Sequence, residues 1–463
     1  MQFVLVLAIL AALVISESAP SEPVSGPGYR LAVAALGMAF VATFALACSG
    51  WIAGRLRRDF QRRDVLLAAF KNLRRVHVVL WLSVAGGILY WLDWAQLVRV
   101  NWRLDRAILV DDVLILLPVL LPMVLSWAAF YEVDRVMQTG LESDDSRVVE
   151  PSTRRQYLML HLRHYLGLLL APVLALLAVQ DAAELLVPGI LEGPYAPAVY
   201  LPPILLVFLF FPTLLRRVWS TRPLAPGPLR NRLEAAAGRA GFRARDILVW
   251  HTGHRVVNAA VAGFLAPLRY VFLTDGLLAQ LDDEEVEAVF GHEIGHVRHH
   301  HLLLRVLAMI APVSLGLLVH QAFPGALAGA TDWLTSGRLG FEVPLGLLVL
   351  LGMALYVPLV FGVYSRCLEA QADLFGCRTL AFDRGSRPVE TFTSALEKLA
   401  VAGGQDRRAP AWQHGSIARR VDLLNRAAKD ACWERRLQRR VHWLSGLFLA
   451  AVLSPLVYGF LVG

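Results

Sequence analysis

The chain has 463 residues, of which 56% are hydrophobic and only 18% are charged, and this composition excludes an ordinary soluble protein. The formal net charge of +8 suggests a nucleic-acid-binding protein at first sight, but no basic-aromatic module accompanies the charge. We therefore predict a mainly α, polytopic membrane protein whose partner is the lipid bilayer and not a nucleic acid.

Nine apolar stretches are candidates for transmembrane helices, since about 20 mainly apolar residues span the hydrocarbon core of a bilayer. They are residues 1–17, 30–54, 76–97, 107–131, 165–188, 197–215, 302–322, 341–363 and 443–462. The first stretch is short and is either a weak signal sequence or an uncleaved helix. We therefore expect eight or nine transmembrane helices.

Basic residues are unevenly distributed between the spans. The connection RLRRDFQRRDVLLAAFKNLRR after the second span is strongly basic, whereas residues 17–29 and 189–196 contain no lysine or arginine. By the positive-inside rule, this alternation predicts an orientation for the whole chain. It gives an N-terminal membrane region (1–215), a cytoplasmic segment (216–301), a transmembrane hairpin (302–363), a second cytoplasmic segment (364–442) and a C-terminal span (443–463).

The first cytoplasmic segment shows the patterns of a small α/β unit. PLAPGPL (223–229) is typical of a linker, and NRLEAAAGRAG predicts a short helix that ends at Gly241. ILVW (247–250) and YVFLTDG (270–276) predict strands of a small β-sheet. DDEEVEAVFGHEIGHVRHH predicts a helix with acidic residues in its first turn, where they favour the helix dipole.

This last helix contains the pattern H-E-x-x-H, formed by His292, Glu293 and His296. Positions i and i+4 share a helix face, so both imidazoles can bind one Zn²⁺ ion at about 2.0–2.1 Å. Glu293 is placed to act as a general base on a water ligand. The following residues 299–301, all histidine, continue the same predicted helix beyond the reach of that ion, and we interpret them as polar residues at the membrane interface.

A third ligand is expected from SRCLEAQADLFG (365–376), which opens the second cytoplasmic segment. Arg366, Glu369 and Asp373 are spaced to share one helix face. Glu369 can complete a site for one zinc ion per chain, Asp373 can accept a hydrogen bond from a ligating imidazole, and Arg366 can orient a carboxylate. The alternative is an ordinary solvated helix surface.

Acidic residues near the outer ends of the first six spans form a second group. They are explained either by helix ends at the headgroup level or by a water-filled cavity between the spans. The residues are Asp93, Asp111, Asp112, Asp181 and Glu184.

Four motifs occur in one order along residues 228–425: VVNAAVAGF, VFLTDGLLAQL, EEVEAVFGHEIGH and SRCLEAQAD. In this the chain resembles the integral-membrane zinc metallopeptidases that include the CAAX prenyl protease type 1 and the heat-shock protease HtpX. The resemblance implies a gluzincin-like zinc metalloprotease domain with zinc on His292, His296 and Glu369, and Glu293 as the base.

Further roles are implied by the resemblance alone. Asn258 and Ala259 are implied to lie on a sheet edge that binds an extended peptide by strand addition. His414, followed by Gly415 where the family commonly has proline, is implied to stabilise the tetrahedral intermediate; the alternative is a solvated loop histidine.

The resemblance implies a membrane-embedded zinc metalloendopeptidase of the inner or plasma membrane, which hydrolyses membrane-associated or lipidated proteins on the cytoplasmic side. One alternative is a quality-control protease for misfolded membrane proteins, and another is an inactive membrane scaffold of the same fold. A transporter would predict matched halves with broken helices, and the sequence shows no such symmetry.

Overall fold

The computed structural model describes residues 2–17, 22–105, 107–142, 153–193, 196–254, 256–325, 345–380, 387–402, 406–409 and 415–462. The chain divides into two compact units. The first comprises Met1–Val207 and Pro344–Leu350, and the second comprises Phe208–Val343 and Leu351–Gly463.

The first unit is helical. Its helices are α1 (Gln2–Glu17), α2 (Pro27–Arg58), α3 (Arg63–Trp91), α4 (Trp94–Gln96), α5 (Val110–Ile115), α6 (Leu117–Glu142), α7 (Arg154–His161), α8 (Leu168–Leu186) and the first part of α9 (Ala196–Val218). Buried residues recur along α2 every three or four positions, as expected for one face of a helix, and this face packs against α6.

The acidic residues at the helix ends of this unit have ionic or backbone partners. Arg99 forms ion pairs with Asp111 (2.8 Å) and Asp112 (3.4 Å). The remaining pairs are Arg30 with Asp93 (2.5 Å), the Leu109 N–H with Asp181 (2.9 Å) and the Gly189 N–H with Glu184 (2.6 Å). These contacts favour a structural role at the helix ends.

The second unit combines helices with a four-stranded sheet. Its strands are β1 (Thr221–Pro223), β2 (Asp246–Trp250), β3 (Ala259–Ala262) and β4 (Tyr270–Thr274). Its further helices are α10 (Pro228–Arg239), α11 (Asp275–Gln280), α12 (Asp283–Arg298), α13 (His301–Ala322), α14 (Leu345–Tyr356, which begins in the first unit), α15 (Gly362–Leu380), α16 (Pro388–Ala402), α17 (Ile417–Lys429) and α18 (Ala431–Val462).

The sheet has the strand order β1-β2-β4-β3, so that β3 is an edge strand. β2 and β4 are parallel, while β1 and β3 are antiparallel to their neighbours. All five residues of β4 are buried, which explains its continuous apolar run YVFLT. The strands predicted at 247–250 and 270–276 are confirmed, whereas β1 was not predicted.

Eight helices among the described residues are long and apolar enough to cross a membrane, and α1 is a shorter apolar helix. The eight segments are Pro27–Arg58, Phe60–Trp91, Leu117–Thr139, Arg154–Leu186, Ala196–Val218, His301–Ala322, Leu347–Leu380 and Cys432–Val462. The predicted fold class, a mainly α polytopic membrane protein with a small sheet, is confirmed.

Glycines allow α12 and α15 to pack closely. A Cβ atom on Gly376 would lie 2.9 Å from the carbonyl oxygen of Ala288 and 3.1 Å from the backbone nitrogen of His292. A Cβ atom on Gly295 would lie 3.1 Å from the Cα atom of Ala372. The two backbones therefore approach to a distance that side chains would prevent.

We expect Gly376→Ala to destabilise the second unit by about 1–3 kcal/mol, because the added methyl group overlaps backbone atoms of α12. The measurement is the midpoint of thermal unfolding in detergent. Gly238→Ala in α10 is the matched control, since its methyl group would meet no heavy atom of the described residues within 4 Å. Equal midpoints for the two variants would contradict the close packing.

Candidate metal centre

The H-E-x-x-H pattern lies on the C-terminal half of α12. The helix begins with a capping box, in which Asp282 accepts hydrogen bonds from two backbone N–H groups and Glu285 bonds back to Asp282. Two turns later, the Nε2 atoms of His292 and His296 lie 3.1 Å apart. The predicted convergence of the two imidazoles on one helix face is therefore found.

Glu369 reaches the same point from α15. Its carboxylate oxygens lie 3.6 Å from His292 Nε2 and 3.5 Å from His296 Nε2. Ligands at about 2.0–2.1 Å from a tetrahedral zinc ion are about 3.4 Å apart. The separations of 3.1, 3.5 and 3.6 Å are close to this length, the last two involving different oxygens of Glu369. Two nitrogens and one carboxylate are ligands that zinc accepts.

Asp373 supports His292 from one turn further along α15. The side chain of Asp373 is completely buried, and its Oδ1 atom lies 2.8 Å from His292 Nδ1. Arg420 of α17 donates two hydrogen bonds to the same carboxylate, at 2.9 and 2.5 Å. This bidentate pair fixes the carboxylate. Arg420 is thus the arginine that holds Asp373, and the role expected of Arg366 stays a prediction.

His301 supports His296, and the expectation that it continues the helix of the H-E-x-x-H pattern was wrong. The side chain of His301 is 0% exposed, and its Nδ1 atom lies 2.8 Å from His296 Nδ1. The reason is a break in the helix: α12 ends at Arg298, and His300 adopts a left-handed conformation with φ 55° before α13 begins. This turn brings His301 back towards the ligand face, which a continuous helix would not do.

Glu369 also forms an ion pair with Arg305 of α13, at 2.6 Å. Both side chains are largely buried, where a carboxylate without a counter-charge is costly. Sequence reasoning missed Arg305, although one signal was present: it is a single charge inside an apolar span, a position that usually marks a functional site.

Burial and neighbouring charges shift the pKa values of the two imidazoles in opposite directions. Burial lowers the pKa of His296 well below its usual value, and His292 lowers it further. Burial also lowers the pKa of His292, but the hydrogen bond and charge of Asp373 outweigh this effect and raise it. The pKa of Arg420 is raised because the charge and hydrogen bonds of Asp373 outweigh its burial.

Glu293 points towards the edge strand β3. Its Oε2 atom accepts a hydrogen bond from the backbone N–H of Val261, at 3.1 Å. Because backbone groups alternate along a strand, the N–H of Ala259 faces the same free edge. The carbonyl of Asn258 instead accepts a hydrogen bond from the Thr274 N–H at 3.0 Å, so it pairs within the sheet. Of the two predicted substrate contacts, Ala259 has its backbone on the free edge, whereas the Asn258 carbonyl is already paired with β4.

A cavity of about 630 Å³ lies along this edge and beside the three candidate metal ligands, His292, His296 and Glu369. Its walls are partly apolar, with Val289, Phe392, Leu396 and Leu399 among the lining residues. His414, with its predicted role at the tetrahedral intermediate, lies outside the described residues. The space is large enough for several side chains of an extended peptide.

The part of the chain that holds this site is similar to known proteins. Residues 223–421, which hold the three candidate metal ligands and the strands β2, β3 and β4, match Peptidase family M48. The chain is thus a multi-pass membrane protein with a segment similar to metallopeptidases, and the resemblance stated above is confirmed.

The relatives are named proteases of the two kinds anticipated. A Protease HtpX homolog of Aeropyrum pernix is 27% identical over 172 residues, which cover 37% of this chain and 53% of the relative. A CAAX prenyl protease 1 homolog of Dictyostelium discoideum is 30% identical over 183 residues, 37% of this chain and 42% of the relative. The chain thus spans about half the length of such relatives, or less.

The crystal structure of S. mikatae Ste24p aligns with 84% of this chain and 99% of its own, with 16% sequence identity and a TM-score of 0.41. This likeness is too distant to support a functional assignment.

We expect Arg420→Gln to lower the free energy of unfolding by about 3–5 kcal/mol, because it leaves the buried Asp373 carboxylate without its counter-charge. The measurement is thermal or denaturant unfolding in detergent. The matched control is Arg419→Gln, the same change at the exposed neighbouring position, which should have little effect. A similar loss in both variants would show that Arg420 does not stabilise the buried carboxylate.

Proposed function

We propose that the chain is a membrane-embedded zinc metalloendopeptidase that hydrolyses peptide bonds of membrane-associated or lipidated proteins. The observation that carries this proposal is the convergence of His292 Nε2, His296 Nε2 and a Glu369 oxygen within 4.8 Å of one another. Catalytic zinc sites use three protein ligands and leave a fourth position for water or substrate. The similarity of residues 223–421 to Peptidase family M48 supports the same conclusion.

Zinc held by these three residues would lower the pKa of water towards about 7 and polarise the scissile carbonyl. Glu293 then takes the proton of the attacking water as the new C–O bond forms. It delivers that proton to the amide nitrogen as the C–N bond breaks. The hydrogen bond from Val261 holds the Glu293 carboxylate beside the strand on which the peptide would lie.

The free edge of β3 is the proposed binding site for the substrate backbone, with Ala259 as a donor and acceptor. The apolar cavity walls would accept apolar side chains of the peptide. Two elements of the site, α13 and α15, belong to segments able to cross a membrane, which favours substrates that reach the site from the bilayer. The distribution of basic residues supports a site on the cytoplasmic side.

We expect Glu293→Gln to reduce peptide hydrolysis by about 10²–10⁴-fold while one zinc ion per chain is retained, because the variant loses the base but keeps the ligands. Glu369→Ala should lose the zinc as well. Zinc content and cleavage are measured together, with a prenylated peptide and an unfolded membrane protein as parallel substrates.

The control for the first change is Glu284→Gln, an exposed position on the same helix. Unchanged cleavage by Glu293→Gln would exclude Glu293 as the base, and absence of cleavage by the wild type would favour the inactive scaffold. Unchanged zinc in Glu369→Ala would refute the third ligand. Cleavage of the unfolded protein alone would favour quality control over processing of lipidated peptides.

We expect Ala259→Pro to raise KM for peptide substrates about two- to tenfold, since proline removes one backbone donor from the free edge. Zinc content should not change. Ala260→Pro is the matched comparison, because its N–H points towards β4 and its loss should lower the unfolding midpoint instead. An unaltered KM in a folded Ala259→Pro protein would exclude this edge as the peptide site.

A further inference from the structure

A chain of hydrogen bonds runs from His296 to the C-terminal helix, and its central contact is buried. His296 Nδ1 lies 2.8 Å from His301 Nδ1, and His301 Nε2 lies 2.9 Å from Gln371 Oε1. The amide nitrogen of Gln371 then donates a hydrogen bond to Gln438 Oε1 of α18. We propose that Gln438 and Gln371 are positioning residues that set, through His301, which nitrogen of His296 carries the proton.

The direction of each hydrogen bond follows from the last acceptor. Because Gln438 offers a carbonyl oxygen, Gln371 turns its NH₂ group towards Gln438 and its oxygen towards His301. His301 must then carry its proton on Nε2, so its Nδ1 is an acceptor. His296 consequently carries its proton on Nδ1, and its Nε2 lone pair is directed to the metal centre. This is the form of histidine that binds zinc through Nε2.

The opposite direction would prevent metal binding. If Gln371 presented its NH₂ group to His301, the proton of His301 would move to Nδ1 and that of His296 to Nε2. His296 Nε2 would then donate to His292 Nε2, which lies 3.1 Å away. That hydrogen bond uses both nitrogens that the proposed zinc site requires.

The two imidazoles differ in this respect. His292 Nδ1 lies 2.8 Å from the Asp373 carboxylate, which can only accept and so favours the proton on Nδ1 without further help. His296 is supported by another imidazole, which can either donate or accept. The polarity of this side therefore depends on the groups beyond His301, and Gln438, whose Oε1 accepts the hydrogen bond of Gln371, is the last of them.

The proposal rests on the proposed zinc site and is tested by zinc affinity, measured by competition with a chelator in the full-length protein. We expect Gln438→Lys to weaken zinc binding about 10–100-fold, because an ammonium group can only donate and reverses the Gln371 amide. Gln438→Glu, which can only accept, should keep the affinity close to that of the wild type. Gln438→Leu removes the acceptor without a charge and should give a smaller loss, which keeps the test valid if the lysine variant does not fold.

His301→Asp separates this effect from simple charge repulsion. An aspartate Oδ atom occupies a position similar to that of His301 Nδ1 and accepts a hydrogen bond from His296 whatever the state of Gln371. In this background, Gln438→Lys should therefore leave zinc affinity unchanged. If the wild type binds zinc, two results would overturn the proposal. One is a loss of zinc affinity that persists when Gln438→Lys is combined with His301→Asp, and the other is equal zinc affinity in Gln438→Lys and Gln438→Glu. A wild type that binds no zinc would overturn the zinc site itself, and this proposal with it.

Discussion

The close packing of α12 against α15 is the constraint on which the candidate metal centre depends. The Glu369 side chain can bridge only a narrow gap between helices, so its carboxylate reaches the two imidazoles only if the backbones of α12 and α15 approach closely. Gly295 and Gly376 allow that approach, because a Cβ atom on Gly376 would lie 2.9 Å from a backbone oxygen of α12 and one on Gly295 would lie 3.1 Å from a Cα atom of α15. Gly295 lies inside the H-E-x-x-H pattern. The same five residues therefore supply two candidate metal ligands and the close helix contact that brings Glu369 to them.

Charge compensation explains how two acids are buried beside these helices. Glu369 pairs with Arg305 and Asp373 pairs with Arg420, so that two carboxylates and two guanidinium groups cancel. Burying either acid alone would be strongly unfavourable. The two arginines come from α13 and α17, which places the energetic support of the site on helices other than the two that carry the donors. The centre is therefore a property of the second unit as a whole and not of a local motif.

Much of this centre could be predicted from sequence because it depends on local periodicity. The spacing of His292 and His296, the face shared by Glu369 and Asp373, and the strands β2 and β4 follow from helix and strand repeats alone, whereas the edge strand β3 was implied only by the family resemblance. His301 could not be placed in this way, since its position depends on one left-handed residue, His300, that no periodicity reveals. Arg420 was missed for a related reason: its partner is 47 residues away, and only the packing of α17 brings them together.

The position of Glu293 links the metal centre to the sheet. It follows His292 by one residue, and one residue along a helix corresponds to a rotation of about 100°. The ligand face of α12 is thus directed to α15, while the adjacent face is directed to β3, where Val261 contacts the carboxylate. A central strand would have no free backbone groups for this contact, so the outer position of β3 in the order β1-β2-β4-β3 is essential. A single helix thereby fixes the distance between Glu293, the two imidazoles and the free strand edge, and a peptide paired with that edge, as proposed, would pass Glu293.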